Sequence, residues 1–206
     1  MESYQLPLFP LNVVVCPKGL MNLRIFEARY LDMIKACLRE QTGFAIVAAQ
    51  PDTQSDQSSH LPFASVGTVL EILDADVTTV GIIMVSCRGT RRIHINGFTV
   101  QADGLVMGNV SDIENDLQVP IPDDLKSVSE HLQHLIESLP LQGIAESDIP
   151  ILKPYEYNDA AWVSNRWVEL LDLPLIQKQR LMQMDSPIVR LELIHDALNL
   201  NAKKFN

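Results

Sequence analysis

Only three cysteines, Cys16, Cys37 and Cys87, occur in 206 residues, an odd number spaced 21 and 50 positions apart. Neither a disulfide framework nor a CxxC redox or metal site is indicated, and a reducing compartment is the simplest reading. Bases are scarce too: 16 Lys plus Arg stand against 26 Asp plus Glu, for a net charge of -10. That balance argues against nucleic acid as the main ligand, because such affinity rests on neutralising phosphates. No apolar run approaches the roughly 20 residues of a membrane span. The opening MESYQLPLFP starts on an acid and is broken by Pro7 and Pro10, unlike a signal peptide. A cytoplasmic location is expected. Catalytic signatures are missing as well. None of the nine glycines precedes a lysine, and GxGxxG, GxSxG and HExxH are absent. A nucleotide-driven motor and an α/β-hydrolase elbow are therefore excluded within this chain.

What is present is ordinary globular material, 47% hydrophobic and 20% charged. A body of this length buries roughly 70% of its unfolded surface, enough for a core without staples. Up to about residue 115 the pattern is of short β-type runs: Val13 to Val15, Phe44 to Ala48, Val66 to Leu73, Gly81 to Ser86, Arg91 to Val100 and Leu105 to Val110. One helix interrupts them from Glu27 to about Glu40, with Leu31, Ile34 and Leu38 as a stripe widened by Tyr30, Met33 and Cys37. The polar run Pro51 to His60 reads as an exposed loop. After Val119 the period becomes helical. Helices are expected after Asp123 or Asp124, after Asn158 or Asp159, after Pro174, and at Ser186-Pro187, where a cap residue precedes a proline at the first position. The implied organisation is a β-rich subdomain over 1–117 and a helical one over 118–206. The acids cluster between them, ten in residues 101–150 against one base, Lys126.

The search for chemistry yields little. His131 and His134 share a helix face, but neither HExxH nor a nearby Cys accompanies them, so a wet face is favoured and no metal is assigned. Asp74 and Asp76 read as turn residues. Asp112, Glu114 and Asp116 read as a solvated linker. The cysteines lie in apolar surroundings that raise a thiol pKa and favour packing. His94 alternates outward between Ile93 and Ile95.

The stretch Leu6 to Ile34, LPLFPLNVVVCPKGLMNLRIFEARYLDMI, resembles the opening of the Lon substrate-binding domain, found at the N-terminus of ATP-dependent Lon proteases and also alone. GTVLEI (Gly67 to Ile72), CRGTRRIHI (Cys87 to Ile95) and the run from Trp162 to Ile194 fit the same family, more loosely in the middle. The resemblance implies an α+β protein: a PUA-like β-barrel with one inserted helix, then a C-terminal α-helical bundle, as in bacterial members. Lon's ATPase and Ser-Lys protease motifs do not occur in these residues. The resemblance therefore implies a non-enzymatic, cofactor-free recognition module for protein quality control. Its partner is a polypeptide, not nucleic acid or membrane, gripped by apolar surface near the junction of barrel and bundle; a homo-oligomer is left open. An RNA-binding PUA-like protein and a small hydrolase are the rival readings.

Within that reading Pro7 and Pro10 end or protect an edge strand, and Tyr30 is buried. The peptide-binding candidates are Arg24, Phe26, Glu27, Trp162 and Arg166. In an extended LRIF, Arg24 points away from Leu23 and Ile25, toward Glu27 or a ligand carboxylate, the internal pair being favoured. Trp162 projects beside Arg166 away from the stripe Val163, Trp167, Leu170 and Leu171. Its ring is expected near the surface, as an anchor for a partner or against the β-half.

Overall fold

The computed structural model describes residues 2–49 and 62–204. The polar run expected to be a loop, with His60, lies outside the described residues. Two compact units emerge, Met1–Asn115 and Asp116–Asn206.

The first unit is a six-stranded mixed sheet with one helix. Its strands are β1 (Ser3–Leu11), β2 (Leu20–Ile25), β3 (Phe44–Ala49), β4 (Phe63–Thr79), β5 (Ile82–Val100) and β6 (Val106–Asp112), and helix α1 (Ala28–Glu40) lies between β2 and β3. The strand order is β2-β5-β4-β3-β1-β6, with β6 also pairing with β5. Five strands therefore form a closed ring of pairings, and β2 is appended to β5 outside it. Among the described residues only β1 and β3 run parallel; every other strand pair is antiparallel.

Alternation along the ring strands splits the apolar residues into two cores. Leu6, Leu8, Ala45, Val47, Phe63, Val69, Ile93, Ile95 and Val110 form one, drawn from all five ring strands. Phe9, Phe44, Ile46, Leu70, Leu23, Ile25 and Val85 form the other with Tyr30, Met33, Ile34 and Cys37 of α1. Neighbours such as Phe44 and Ala45 thus serve opposite faces. That is why β3 reads FAIVAA, an unbroken apolar run typical of a strand covered on both sides. On α1 the buried stripe is Tyr30, Met33, Ile34 and Cys37, while Leu38 is 47% exposed. The stripe sits one position earlier than the expected Leu31-Ile34-Leu38 line.

Several strand expectations change, the runs Gly81 to Ser86 and Arg91 to Val100 joining, from Ile82 on, in the one strand β5. Val13 to Val15 is not a strand; Val14 and Val15 are buried without a ladder, and the Thr68 hydroxyl donates to the Val15 carbonyl at 2.6 Å. Pro7 and Pro10 lie inside β1, which pairs with β6 over Ser3 to Leu8 and with β3 over Leu8 to Leu11. The two registers are staggered, so each proline has a ladder on one side only and a missing N–H on the other side breaks no bond. Asp74 and Asp76 belong to a long β4–β5 hairpin rather than a turn. The turn itself comes at Val80-Gly81, where Gly81 takes φ +82.

The second unit contains α2 (Lys126–Leu141), α3 (Ala160–Leu170), α4 (Leu175–Gln183) and α5 (Pro187–Lys204), begun close to where capping signals placed them. The Asp159 carboxylate accepts from the Ala161 N–H at 3.1 Å and so starts α3. Residues Ala160 to Val168 of α3 are all buried; α2, α4 and α5 all pack against it. Arg190 of α5, fully buried, donates to the Asp116 carboxylate (2.8 Å), the Asn165 side-chain oxygen (2.7 Å) and the Leu181 carbonyl (2.9 Å). This one guanidinium ties the entry of the unit to α3, α4 and α5.

Breaking a buried ion pair strands its other half, at about 3–5 kcal/mol. Asp116→Ala should lower the unfolding free energy in urea by that amount; a loss below about 1 kcal/mol would contradict the account. In the first unit, a Cβ on Gly89 would meet the Cys16 carbonyl oxygen at 2.3 Å, whereas one on Gly97 meets nothing within 4 Å. Gly89→Ala should destabilise by about 1–3 kcal/mol and Gly97→Ala by under about 0.5 kcal/mol, with equal midpoints in thermal melts as the contrary result.

Candidate functional site

Most of the motif residues are occupied by internal contacts. Phe9 stacks on Tyr30 with ring centroids 4.0 Å apart, and Phe44 joins at 6.3 Å. The LPLFP strand is thereby fastened to the FEARY helix start. The Arg29 guanidinium donates to Glu27 at 2.7 Å and to the Gly104 carbonyl at 3.1 Å, and lies 4.7 Å from the Tyr30 ring centroid. Glu27, the residue before α1, is thus paired with Arg29 and not with Arg24; the expected internal Arg24–Glu27 pair is corrected. Farther on, a Cβ on Gly67 would meet the Ile46 carbonyl oxygen at 2.6 Å. Gly89 exchanges hydrogen bonds with the 18–19 turn, donating to the Gly19 carbonyl at 2.9 Å and accepting from the Lys18 N–H at 2.7 Å.

Two residues of that opening motif are left over. Phe26 is 65% exposed, and Arg24 is exposed with no ion pair among the described residues. Both lie on or beside β2, on a ribbon made by β2, the start of β5 and the end of β4. Across it Arg24 faces Met84, which faces Asp76. This row of cation, thioether and acid is exposed, while Ile25, Ile83 and Val85 of the alternate rows are buried. Because β2 runs antiparallel to β5, its C-terminal end with Phe26 lies at the hairpin-tip end of the ribbon. Val77 (67% exposed) and Val80 (98% exposed) belong to that end too. The result is an apolar, largely wet end of a sheet carrying one unengaged cation. The sequence reading missed Met84 and Val77. A signal for Met84 existed, since alternation within Ile83-Met84-Val85 puts a methionine on the solvent side.

A recess of about 700 Å³ also runs along α1, lined by Tyr4, Leu6, Arg29, Met33, Arg91 and Met107 among others. Both of its cations are engaged. Arg91 donates to Asp112 at 2.8 Å and to the Tyr4 hydroxyl at 2.9 Å, and that hydroxyl donates to Asp112 at 2.6 Å. This clamp joins β1, β5 and β6. Burial alone raises the Asp112 carboxyl, but the bonds from Tyr4 and Arg91 outweigh it and hold its pKa below the ordinary value. Burial and the Asp112 bond together raise Tyr4.

The candidates in the second unit stand differently. Trp162 is 2% exposed and Arg166 is 1% exposed, which overturns the expected surface ring. Trp162 packs edge-on to Tyr157 at 5.6 Å and near Tyr155 at 6.2 Å, and the Arg166 guanidinium sits 5.9 Å from its ring. Arg166 also pairs with Glu169 at 3.1 Å. The helical period assigns a wet face to every helix, but α3 is surrounded and has none over most of its length.

Chemistry elsewhere is sparse. All three cysteines are buried, as packing predicts, and desolvation pushes the Cys87 thiol up to about 12. His131, His134 and His94 are exposed. Among the described residues no group of three or more His, Cys, Asp or Glu is placed to hold a metal, and no helix is long and apolar enough to cross a membrane.

Against known proteins, residues 5–199 match the family model described as the ATP-dependent protease La (LON) substrate-binding domain. A LON peptidase N-terminal domain and RING finger protein of Schizosaccharomyces pombe is 28% identical over 219 aligned positions, which take in 94% of this chain and 44% of that protein. The chain therefore spans less than half the length of that curated relative. The crystal structure of a Lon N-terminal domain protein from Xanthomonas campestris superposes with a TM-score of 0.73 at 31% identity, covering 94% of this chain and 98% of that one. The N-terminal domain of a Mycobacterium avium complex Lon protease shares the fold, with a TM-score of 0.62 at 15% identity over 94% and 97% of the two chains.

The clamp gives a pH-dependent expectation. A carboxyl whose pKa is depressed by folding contributes stability only where its unfolded counterpart is ionised, and loses it as pH falls through the folded value. Wild type should exceed Asp112→Asn in urea stability above about pH 4, and the gap should close on further acidification. A gap constant down to pH 2 would remove the clamp from the account.

Proposed function

This chain belongs to the Lon substrate-binding domain family, and on that premise we propose that it is a recognition module that binds polypeptide without cutting it. The single observation that carries the reading is Phe26. Its neighbours in the family motif, Glu27, Arg29 and Tyr30, hold the fold together, whereas its ring stays 65% exposed at the end of the ribbon with Val77 and Val80. A large ring left in water among packed neighbours is suited to burial by a partner chain, at about 25 cal/mol per Å² of apolar area. Arg24 supplies orientation through a carboxylate. The five-strand ring supports a PUA-like β-barrel, and the helices around α3 support a C-terminal bundle. The three buried thiols fit a reducing, cytoplasmic setting. Trp162 and Arg166, being buried, serve this function by maintaining the second unit.

The test is fluorescence anisotropy with a labelled, reduced and alkylated protein that cannot fold. Wild type should bind it, and Phe26→Ala should weaken binding about tenfold, the effect of losing one interfacial aromatic, with an unchanged melting temperature. Absence of binding by wild type, or equal affinities for the two, would refute the proposal.

A further inference from the structure

The mode of binding follows from the edges of the sheet. Among the described residues every ring strand has two neighbours, but β2 pairs with β5 alone. Along an antiparallel pair every second residue directs its N–H and C=O away from the partner. Among the described residues nothing meets those groups: Leu20 to Ile25 make no backbone hydrogen bond outside the ladder with β5.

Sheet edges of this kind are usually blunted by proline, by bulges or by clustered charge. The free stretch of β4 in the same ribbon follows that rule. It carries Asp74 and Asp76, and its register with β5 shifts between Ile72 and Asp74 and again between Val77 and Thr79. β2 does not follow it. Its six residues, LMNLRI, contain no proline or glycine, and its register with β5 runs unbroken from Leu20 to Ile25. Its one charge is Arg24, which has no ion pair among the described residues.

We propose that the open edge of β2 accepts an extended peptide segment as an added strand, with an acidic side chain beside Arg24 and apolar side chains beside Leu23 and Ile25. The proposal rests on the polypeptide-binding reading and specifies its geometry. An added strand lies about 4.8 Å from β2, so its residue opposite Arg24 is within ion-pair reach. Main-chain bonds give affinity for many sequences, and alternate side chains give the preference. Charge selects this edge over the other, because Asp74 and Asp76 repel the acidic segment that Arg24 attracts. The occupant is therefore an extended, alternating apolar segment with a central acid, as an unfolded chain presents.

The test uses the whole chain and a labelled ten-residue peptide that alternates valine with polar residues around one aspartate. Two further forms are N-methylated, one on the odd and one on the even residues; each keeps the side chains and loses the donors of one edge. Strand addition predicts that one form loses about tenfold or more in affinity while the other binds like the parent. Replacing the aspartate by lysine should weaken binding to wild type and restore it with Arg24→Glu. Equal affinities for the two methylated forms overturn strand addition; polypeptide binding then still stands if the parent binds and Phe26→Ala weakens it. Failure of both the parent peptide and the unfolded protein to bind wild type removes the broader reading as well. A concentration-dependent dimer in sedimentation that peptide does not displace, and that Arg24→Glu abolishes, assigns the edge to a second copy and overturns the proposal.

Discussion

The closure of the sheet by β6 is the constraint on which the first unit depends. A seven-residue strand pairs with β1 on one side and β5 on the other, and Tyr4, Arg91 and Asp112 clamp the three together through hydrogen bonds of 2.6–2.9 Å. Without β6 both β1 and the later half of β5 become open edges, and the inner cluster of Leu6, Leu8, Ile93 and Ile95 loses its wall. With it every ring strand has a partner on each side over part of its length, and β4 and β5 run past the ring together. That overhang is the ribbon, so the same closure that seals the core defines which surface stays available.

The motif residues divide accordingly. Phe9, Tyr30 and Phe44 form an aromatic stack between sheet and helix; Gly67 and Gly89 are small because backbone carbonyls stand where a side chain would be; Thr68 secures the segment before β2. Each has a partner that explains it within the fold. Among the described residues Arg24 has no ion pair and Phe26 no ring partner. The contrast separates residues that the scaffold accounts for from the two on which the proposed binding surface rests. It also separates the first unit's exposed Phe26 from Trp162, whose surroundings of Tyr155, Tyr157 and Arg166 are a core of their own.

Much of this was legible in the sequence wherever one local rule decided the outcome. The α1 helix, the Asp159 cap and the Ser186-Pro187 start follow from periodicity and capping alone, and the α+β class follows from the change of period after Val119. The errors arise where a neighbour from far along the chain decides. Val13 to Val15 are apolar because they are buried, but nothing local says that they lack a ladder. Asp74 and Asp76 look like turn residues because a strand that leaves the core carries no alternation to mark it. Periodicity assigns Trp162 to a wet face that α3 does not have, since it cannot register a helix packed against three others. The free edge of β2 was invisible for the same reason: an edge is defined by which strands are absent beside it, and only the assembled topology shows that.

The Tyr4–Asp112 bond joins residues separated by 108 positions, and a ribosome makes them in that order. The β1 strand cannot be matched on its β6 side until roughly a hundred further residues have left the exit tunnel. At the usual 5–20 residues per second this amounts to several seconds or more. Throughout that interval the nascent chain displays Leu6, Leu8 and Phe9 with no finished wall to receive them. The order of the strands therefore leaves β1 without its second neighbour until β6 is made, a delay set by sequence separation and not by the strength of the clamp.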